Sequence, residues 1–260
     1  MILPAIVALS DQQIQEDKMS PRGRPSAQKL LCLVVFLGQI QNYMMRANLS
    51  LLIVAMTKTS SDSYDAAPTG ANGTTASDNT DPSRRLDWDI LDRGLVLSAF
   101  SYGYITTQVI GGRLAERFGI KVVYGMSIMG PGLLTLLSPV VAKASFTGFC
   151  VLRGLLGVLE GASFPSIFVM ASRWAPPGEK NRFLARGMFG HCFGLVITYP
   201  LCGYVAHYLG WEAAFYIIGA ITSAWFILWM LLAFDSPEGH PWIAPEEKER
   251  LLKKLQSKRQ

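Results

Sequence analysis

Residues 147–172 read TGFCVLRGLLGVLEGASFPSIFVMAS, a run with only two charged side chains, Arg153 and Glu160. As a helix it is long enough to cross the roughly 30 Å of hydrocarbon in a bilayer, which takes about 20 residues. Five further runs of similar character lie at 29–56, 93–112, 122–141, 184–206 and 213–234. The chain has 260 residues, of which 50% are hydrophobic and 17% charged. Long polar stretches between the runs dilute those averages. Six such runs exclude a water-exposed globular fold and predict an all-α membrane protein. The expected organisation is a tail over 1–28, a six-helix bundle over 29–234 and a second tail over 235–260.

The basic residues predict the orientation. If the runs alternate across a membrane, 17 of the 24 Lys and Arg fall on the side that also holds both termini, and only Lys58, Arg84, Arg85, Arg93 and Lys143 fall on the other. The positive-inside rule then puts both ends in the cytoplasm. The net charge of +5 follows from this topology and calls for no nucleic-acid partner. Residues 57–90 are rich in Ser, Thr, Asp, Gly and Asn and contain Asn72-Gly-Thr74, a glycosylation acceptor pattern that needs a luminal or extracellular loop. A second match, Asn48-Leu-Ser50, lies within the first run, out of reach of the glycosylating enzyme.

No signal peptide is expected, because residues 2–9 are apolar but short, lack a basic flank and precede Asp11, Glu16 and Asp17. Cys32, Cys150, Cys192 and Cys202 all fall within predicted spans and read as small packing residues, with no metal-ligand spacing.

A charge at bilayer depth costs roughly 2.5–3.5 kcal/mol on insertion scales, so Arg46, Arg153 and Glu160 are expected to face the protein interior. Gln39, Gln41, Asn42, Tyr43 and Asn48 surround Arg46 in sequence and predict a wet cavity beside the first helix. Arg153 and Glu160, seven residues apart, fall on nearly one helix face about 10 Å apart along the axis. The bland alternative has Arg153 snorkelling to headgroups and Glu160 paired with another buried polar group. The spacings Gly157-Val-Leu-Glu-Gly161 and Gly190-His-Cys-Phe-Gly194 predict close helix packing. Pro165 frees the carbonyl of Gly161 and predicts a kink beside Glu160, with weaker expectations of the same kind for Pro131 and Pro200.

The link between the second and third runs, Gly112-Arg-Leu-Ala-Glu116-Arg117-Phe-Gly119-Ile-Lys121, resembles the loop signature of the major facilitator superfamily, with Glu where Asp is usual. More specific are Arg46-Ala-Asn-Leu-Ser50, Gly103-Tyr104-Ile-Thr-Thr-Gln108, the run from 153 to 161, Trp174-Ala-Pro-Pro177 and the Ser236-Pro and His240-Pro turns. Over about 29–250 these resemble solute carrier family 17, a family of organic and inorganic anion transporters, and within it the insect-type inorganic phosphate cotransporters and sialin-like members. The resemblance implies the N-terminal six-helix half, a 3+3 inverted repeat, of a twelve-span secondary transporter. It implies that Arg46, Arg153 and Tyr104 bind the substrate anion, that Glu160 is the coupling carboxylate, and that Gly112, Glu116, Arg117, Gly119 and Lys121 form a gating loop. Leu97 stands where vesicular glutamate transporters carry histidine, and Met45 where bacterial sugar-acid relatives carry aspartate.

The expected function is therefore H+-coupled (or Na+-coupled) transport of a small anionic substrate such as phosphate or sialate, with no cofactor, no metal and no enzymatic activity. The expected partners are the lipid bilayer and a missing C-terminal half or a second copy, in the plasma membrane or a lysosomal or vesicular one. A chain ending after six spans also admits a non-transporting scaffold or regulatory form. Residues 245–259 predict a basic amphipathic helix, in which Glu247, Leu251 and Leu252 match an acidic dileucine sorting signal. An intramembrane protease built on Ser163 and His191 finds no motif for an oxyanion hole. His191 reads as a packed histidine and His207 as an interfacial one.

Overall fold

A computed structural model describes residues 27–57, 86–176, 178–239, 243, 245, 248 and 249. The loop carrying Asn72, the N-terminal tail and the amphipathic and dileucine segment beyond residue 249 lie outside the described residues. Eight helices account for most of the rest: α1 (Ala27–Met56), α2 (Ile90–Phe118), α3 (Ile120–Ala144), α4 (Phe146–Glu160), α5 (Ser163–Trp174), α6 (Lys180–Met188), α7 (Gly190–Leu209) and α8 (Trp211–Leu232). Among the described residues the sole β feature is an isolated bridge between Thr57 and Leu86.

Local chemistry sets the boundaries. Asp89 and Asp92 form a reciprocal capping box at the start of α2, satisfying orphan N–H groups of its first turn. The Ser145 hydroxyl accepts from Gly148 N–H at 3.3 Å to begin α4. Gly119 (φ 92°) and Gly210 (φ 87°) reverse the chain between α2 and α3 and between α7 and α8. A side chain at either position would be strained, so each tight turn depends on glycine.

Two spans are interrupted. The fourth breaks after Glu160, at Gly161 and Ala162, four residues upstream of Pro165 and as its missing N–H predicts. The fifth breaks at Phe189, where no proline is present, and begins at Lys180, earlier than the hydropathy run. Gly187 and Gly190 flank this break, and both press on α1. Pro131 and Pro200, by contrast, sit inside continuous helices, and the kinks expected there do not interrupt α3 or α7.

Joining the interrupted pairs, five helical segments are long and apolar enough to cross a membrane: Ala27–Met56, Ile120–Ala144, Phe146–Trp174, Lys180–Leu209 and Trp211–Leu232. The remaining one, α2, has the length at 29 residues. Its apolar run is diluted by Ser98, Ser101, Thr106, Thr107 and Gln108.

The ends sort as alternating spans require. At one end Lys121 N–H donates to Asp235 at 2.8 Å, Trp174 Nε1 to the Phe234 carbonyl at 3.1 Å, and Gln28 Nε2 to Glu179 at 3.5 Å. At the other, Leu86 N–H donates to the Met56 carbonyl at 2.6 Å, Trp88 packs on Phe146 and Phe149, and Lys143 pairs with Glu212 at 2.6 Å.

Glycine allows the closest crossings. On the α2–α4 seam, a Cβ at Gly103 would strike the Gly154 carbonyl, one at Gly157 the Phe100 carbonyl, and one at Gly161 would lie 2.6 Å from the Tyr104 carbonyl. On the α1–α7 seam, Gly190 abuts the Phe36 carbonyl and a Cβ at Gly194 would lie 2.8 Å from the Ile40 carbonyl. Both small-residue motifs are thus packing devices, bringing backbones together where van der Waals contact drives association in lipid.

Candidate anion site

The polar residues of α1 divide into two sets. Gln39 Nε2 donates to Tyr124 Oη at 2.7 Å, Asn42 Nδ2 to Ser163 Oγ at 3.1 Å, and Gln41 Oε1 accepts from Thr222 Oγ1 at 3.4 Å. These amides are buried and tie α1 to α3, α5 and α8. The wet cavity expected from the polarity of α1 is therefore corrected: most of that polarity joins helices. An interhelical bond satisfies a buried amide as well as water would, and it also fixes the crossing. Arg46 is exposed, which corrects the expectation that it faces the protein interior with Arg153 and Glu160, while Tyr43 beside it is half-buried.

Arg46 meets α2. Its guanidinium lies 5.1 Å from the Tyr104 ring centroid and 5.5 Å from that of Phe100. Arg153 reaches the same Phe100 ring from α4, at 5.8 Å. Two cations thus share one aromatic ring, whose negative faces attract both and moderate their mutual repulsion. Phe100 and Tyr104, one turn apart, stack with centroids 5.9 Å apart. Arg153 is only 2% exposed, so it is buried in the bundle and does not snorkel.

Glu160 completes the set. It is 1% exposed, and among the described residues neither carboxylate oxygen has a hydrogen-bond partner and the Nε of Arg153 has none either. Glu160 lies within electrostatic reach of both arginines. Buried ionisable groups ordinarily find hydrogen bonds, because an unmet one costs several kcal/mol. The cluster lies on the glycine seam and ends at the helix break, with these valences unmet among the described residues. Arg46, Tyr104, Arg153 and Glu160 are accordingly brought together. Phe100, the ring linking them, was missed: nothing in the sequence marks one apolar aromatic in a span above another.

The predicted gating residues form a separate group at the basic end. Arg113 and Glu116 form an exposed pair at 3.5 Å, Arg173 Nη2 donates to the Glu116 carbonyl at 3.3 Å, and Arg117 lies over Phe118. Gly112 faces Pro165, and Gly119 faces the Asp235 carboxylate. Lys121 lies 4.6 Å from the Phe234 ring centroid, and its carbonyl accepts from Trp229 Nε1 at 2.8 Å. Asp235 is a second residue that sequence reasoning missed.

The protease reading fails on geometry. Ser163 is engaged by Asn42, and no hydrogen bond among the described residues joins it to His191, whose ring packs against Tyr43 and Phe164. The four cysteines are unpaired.

The sequence profile of the Major Facilitator Superfamily matches residues 35–259, and the chain belongs to that superfamily, whose members are transporters and not enzymes. It is 40% identical over 238 residues to the uncharacterized transporter slc-17.2 of Caenorhabditis elegans, covering 89% of this chain and 48% of that one. Human sialin is 35% identical over 236 residues, covering 89% and 48%. The inward-open xylose transporter XylE of E. coli shares the fold, with a TM-score of 0.59 at 17% identity over 88% of this chain and 52% of that one. The chain spans about half the length of the curated relatives it matches. These relatives agree with the resemblance to solute carrier family 17.

Proposed function

We propose that this chain supplies the anion-binding half of a secondary active transporter that carries a small organic or inorganic anion together with a proton. The observation that carries the reading is the convergence of Arg46 and Arg153 on Phe100, with the unpartnered carboxylate of Glu160 inside the same electrostatic reach.

An anion entering beside the exposed Arg46 engages its guanidinium and the Tyr104 hydroxyl, then draws Arg153 towards it. That weakens the hold of Arg153 on Glu160 and favours proton uptake by the carboxylate, so anion and proton travel together. Phosphate, sialate and acidic amino acids all offer the oxygen atoms an arginine fork binds. Sodium at Glu160 is the alternative coupling. Alternating access by rocking two halves requires a second six-helix unit against the face that exposes Arg46. Gly112, Glu116, Arg117, Gly119 and Lys121 then act at the cytoplasmic end as a latch, with both termini on that side and Asn72 glycosylated on the other.

The test is uptake of labelled phosphate or sialate into liposomes under an imposed pH gradient, with the chain alone and with a second six-helix unit. Glu160→Gln should abolish pH-driven accumulation yet keep anion exchange, and Arg153→Ala should abolish both. Wild-type coupling in Glu160→Gln would remove Glu160 from the mechanism. Absence of uptake in every arrangement would favour the non-transporting scaffold.

A further inference from the structure

Both interrupted spans carry a ring just past their breaks. The fourth resumes at Ser163 with Phe164 next, and the fifth at Gly190 with His191 next. These two rings stack, 16° from parallel, with centroids 6.4 Å apart. Tyr43 of α1 lies against the same imidazole at 5.4 Å, tilted by 56°. The neighbouring backbone is fixed as well. A Cβ at Gly190 would meet Gln39 Cβ at 2.9 Å and one at Gly194 would meet Tyr43 Cβ at 2.9 Å, so the register that aims His191 at Tyr43 is set by close contact. Asn42 Nδ2, bonded to Ser163 Oγ, ties α1 to the start of α5 beside Phe164.

Stacking accounts for the faces of the imidazole and leaves its nitrogens. Among the described residues no hydrogen bond reaches either of them. The charged group within electrostatic reach of His191 is Arg46, one turn along α1 from Tyr43. Arg46 is also the cation that meets Phe100 and Tyr104. A histidine kept for packing alone gains nothing from a guanidinium beside it, because its protonated form is repelled. An anion shared by the two reverses that sign.

We propose that His191 is a further ligand of the anion site, donating a ring N–H to an oxygen of a carboxylate or phosphate held by Arg46. The inference rests on the anion-transport reading above. A guanidinium fork takes two oxygens of such an anion. The imidazole adds one more N–H, in a direction set by the rings of Tyr43 and Phe164. His191 thus brings the fifth span into a site otherwise built from α1, α2 and α4, at the point where that span breaks.

The concentration dependence of labelled phosphate and labelled sialate uptake is measured for the full chain in liposomes, alone and with a second six-helix unit. His191→Phe keeps the stack on Phe164 and Tyr43 and removes both nitrogens. It should raise the half-saturating concentration of whichever anion the wild type carries by about ten-fold or more, as expected for a lost hydrogen bond to a charged group. His191→Gln restores an N–H and should return to within about three-fold of the wild type. Diethyl pyrocarbonate, which modifies imidazole nitrogens, supplies a second readout by mass spectrometry. Saturating anion should slow modification of His191 about ten-fold and leave His207, packed on Tyr208 at the far end of α7, unprotected. An unchanged His191→Phe, a His191→Gln no better than His191→Phe, or modification of His191 indifferent to anion would overturn the assignment and leave the transport reading standing. A wild type with neither uptake nor protection would remove the transport reading, and this ligand with it.

Discussion

Gly157→Ala tests the seam on which the whole anion site depends. The added methyl would fall on the Phe100 carbonyl oxygen and 2.8 Å from the Tyr104 nitrogen, both backbone atoms of α2 that no rotamer change relieves. Restoring ordinary contact requires α2 to retreat by about an ångström, since such carbon–oxygen contacts sit near 3.4 Å or beyond. That retreat would loosen the flanking contacts of Gly103 and Gly161. Overpacking of this kind costs about 1–3 kcal/mol. The better helix propensity of alanine returns up to about 1 kcal/mol, leaving a net loss near 1–2 kcal/mol. Gly203→Ala is the matched control: Gly203 lies in α7, where an added methyl would find nothing within 4 Å, so it should gain up to about 1 kcal/mol with no clash. The propensity gain is common to both, so the two variants should differ by the overpacking cost of about 1–3 kcal/mol, or about 2–12 °C in thermal midpoint for a chain of this size, read by tryptophan fluorescence in one detergent. Equal midpoints would refute the close crossing and the placement of Phe100 between the arginines.

Three further outcomes follow from single contacts. Tyr124→Phe removes the acceptor of Gln39 Nε2 and the donor to the Val35 carbonyl at 3.3 Å, and should cost about 1–2 kcal/mol in the same unfolding assay, with Ser127→Ala nearer neutral. Asp235→Ala removes the side chain that accepts from Lys121 N–H at the start of α3; a loss of about 1 kcal/mol and faster amide exchange at Lys121 are expected, and unchanged exchange would deny the cap. Phe100→Leu keeps the volume roughly but withdraws the ring both arginines face, so anion affinity should fall about five-fold, at roughly 1 kcal/mol, while the thermal midpoint moves by no more than a few degrees.

The sequence states obligations more clearly than it states how they are met. Each expected span was legible as a helix, five of the six as long and apolar enough to cross a membrane, because hydrocarbon admits only long apolar helices, and the break after Glu160 because Pro165 lacks a donor. Arg46, Arg153 and Glu160 were legible for the opposite reason, as groups that lipid rejects. The amides of α1 carried the same signal of polarity at depth, yet Gln39, Gln41 and Asn42 find helix partners rather than a cavity. Polarity along one strand of text cannot say whether water or a neighbouring helix will answer it, since the answers come from Tyr124, Thr222 and Ser163, between 85 and 181 residues away. Asp235, 114 residues from its partner, was hidden likewise. The break at Phe189 follows no residue rule, and its flanking glycines acquire meaning only against the backbone of α1.

Closure divides the polar residues of this bundle only in part, since the Oε1 of Gln39 and the Oγ1 of Thr135 are also left unbonded among the described residues. Gln41, Asn42 and Tyr124 end on protein atoms, and their removal should cost stability. The two oxygens of Glu160 and the Nε of Arg153 find no hydrogen-bond partner among the described residues. Asn48, 0% exposed with neither amide atom bonded, shares that condition one turn from Met45 on α1. Glu160→Gln withdraws the negative charge within electrostatic reach of the buried Arg153 and should therefore lower the thermal midpoint, because it leaves a buried cation without its counter-charge. An unchanged midpoint would mean that Arg153 does not depend on the carboxylate, and would remove the pairing on which the proposed coupling rests.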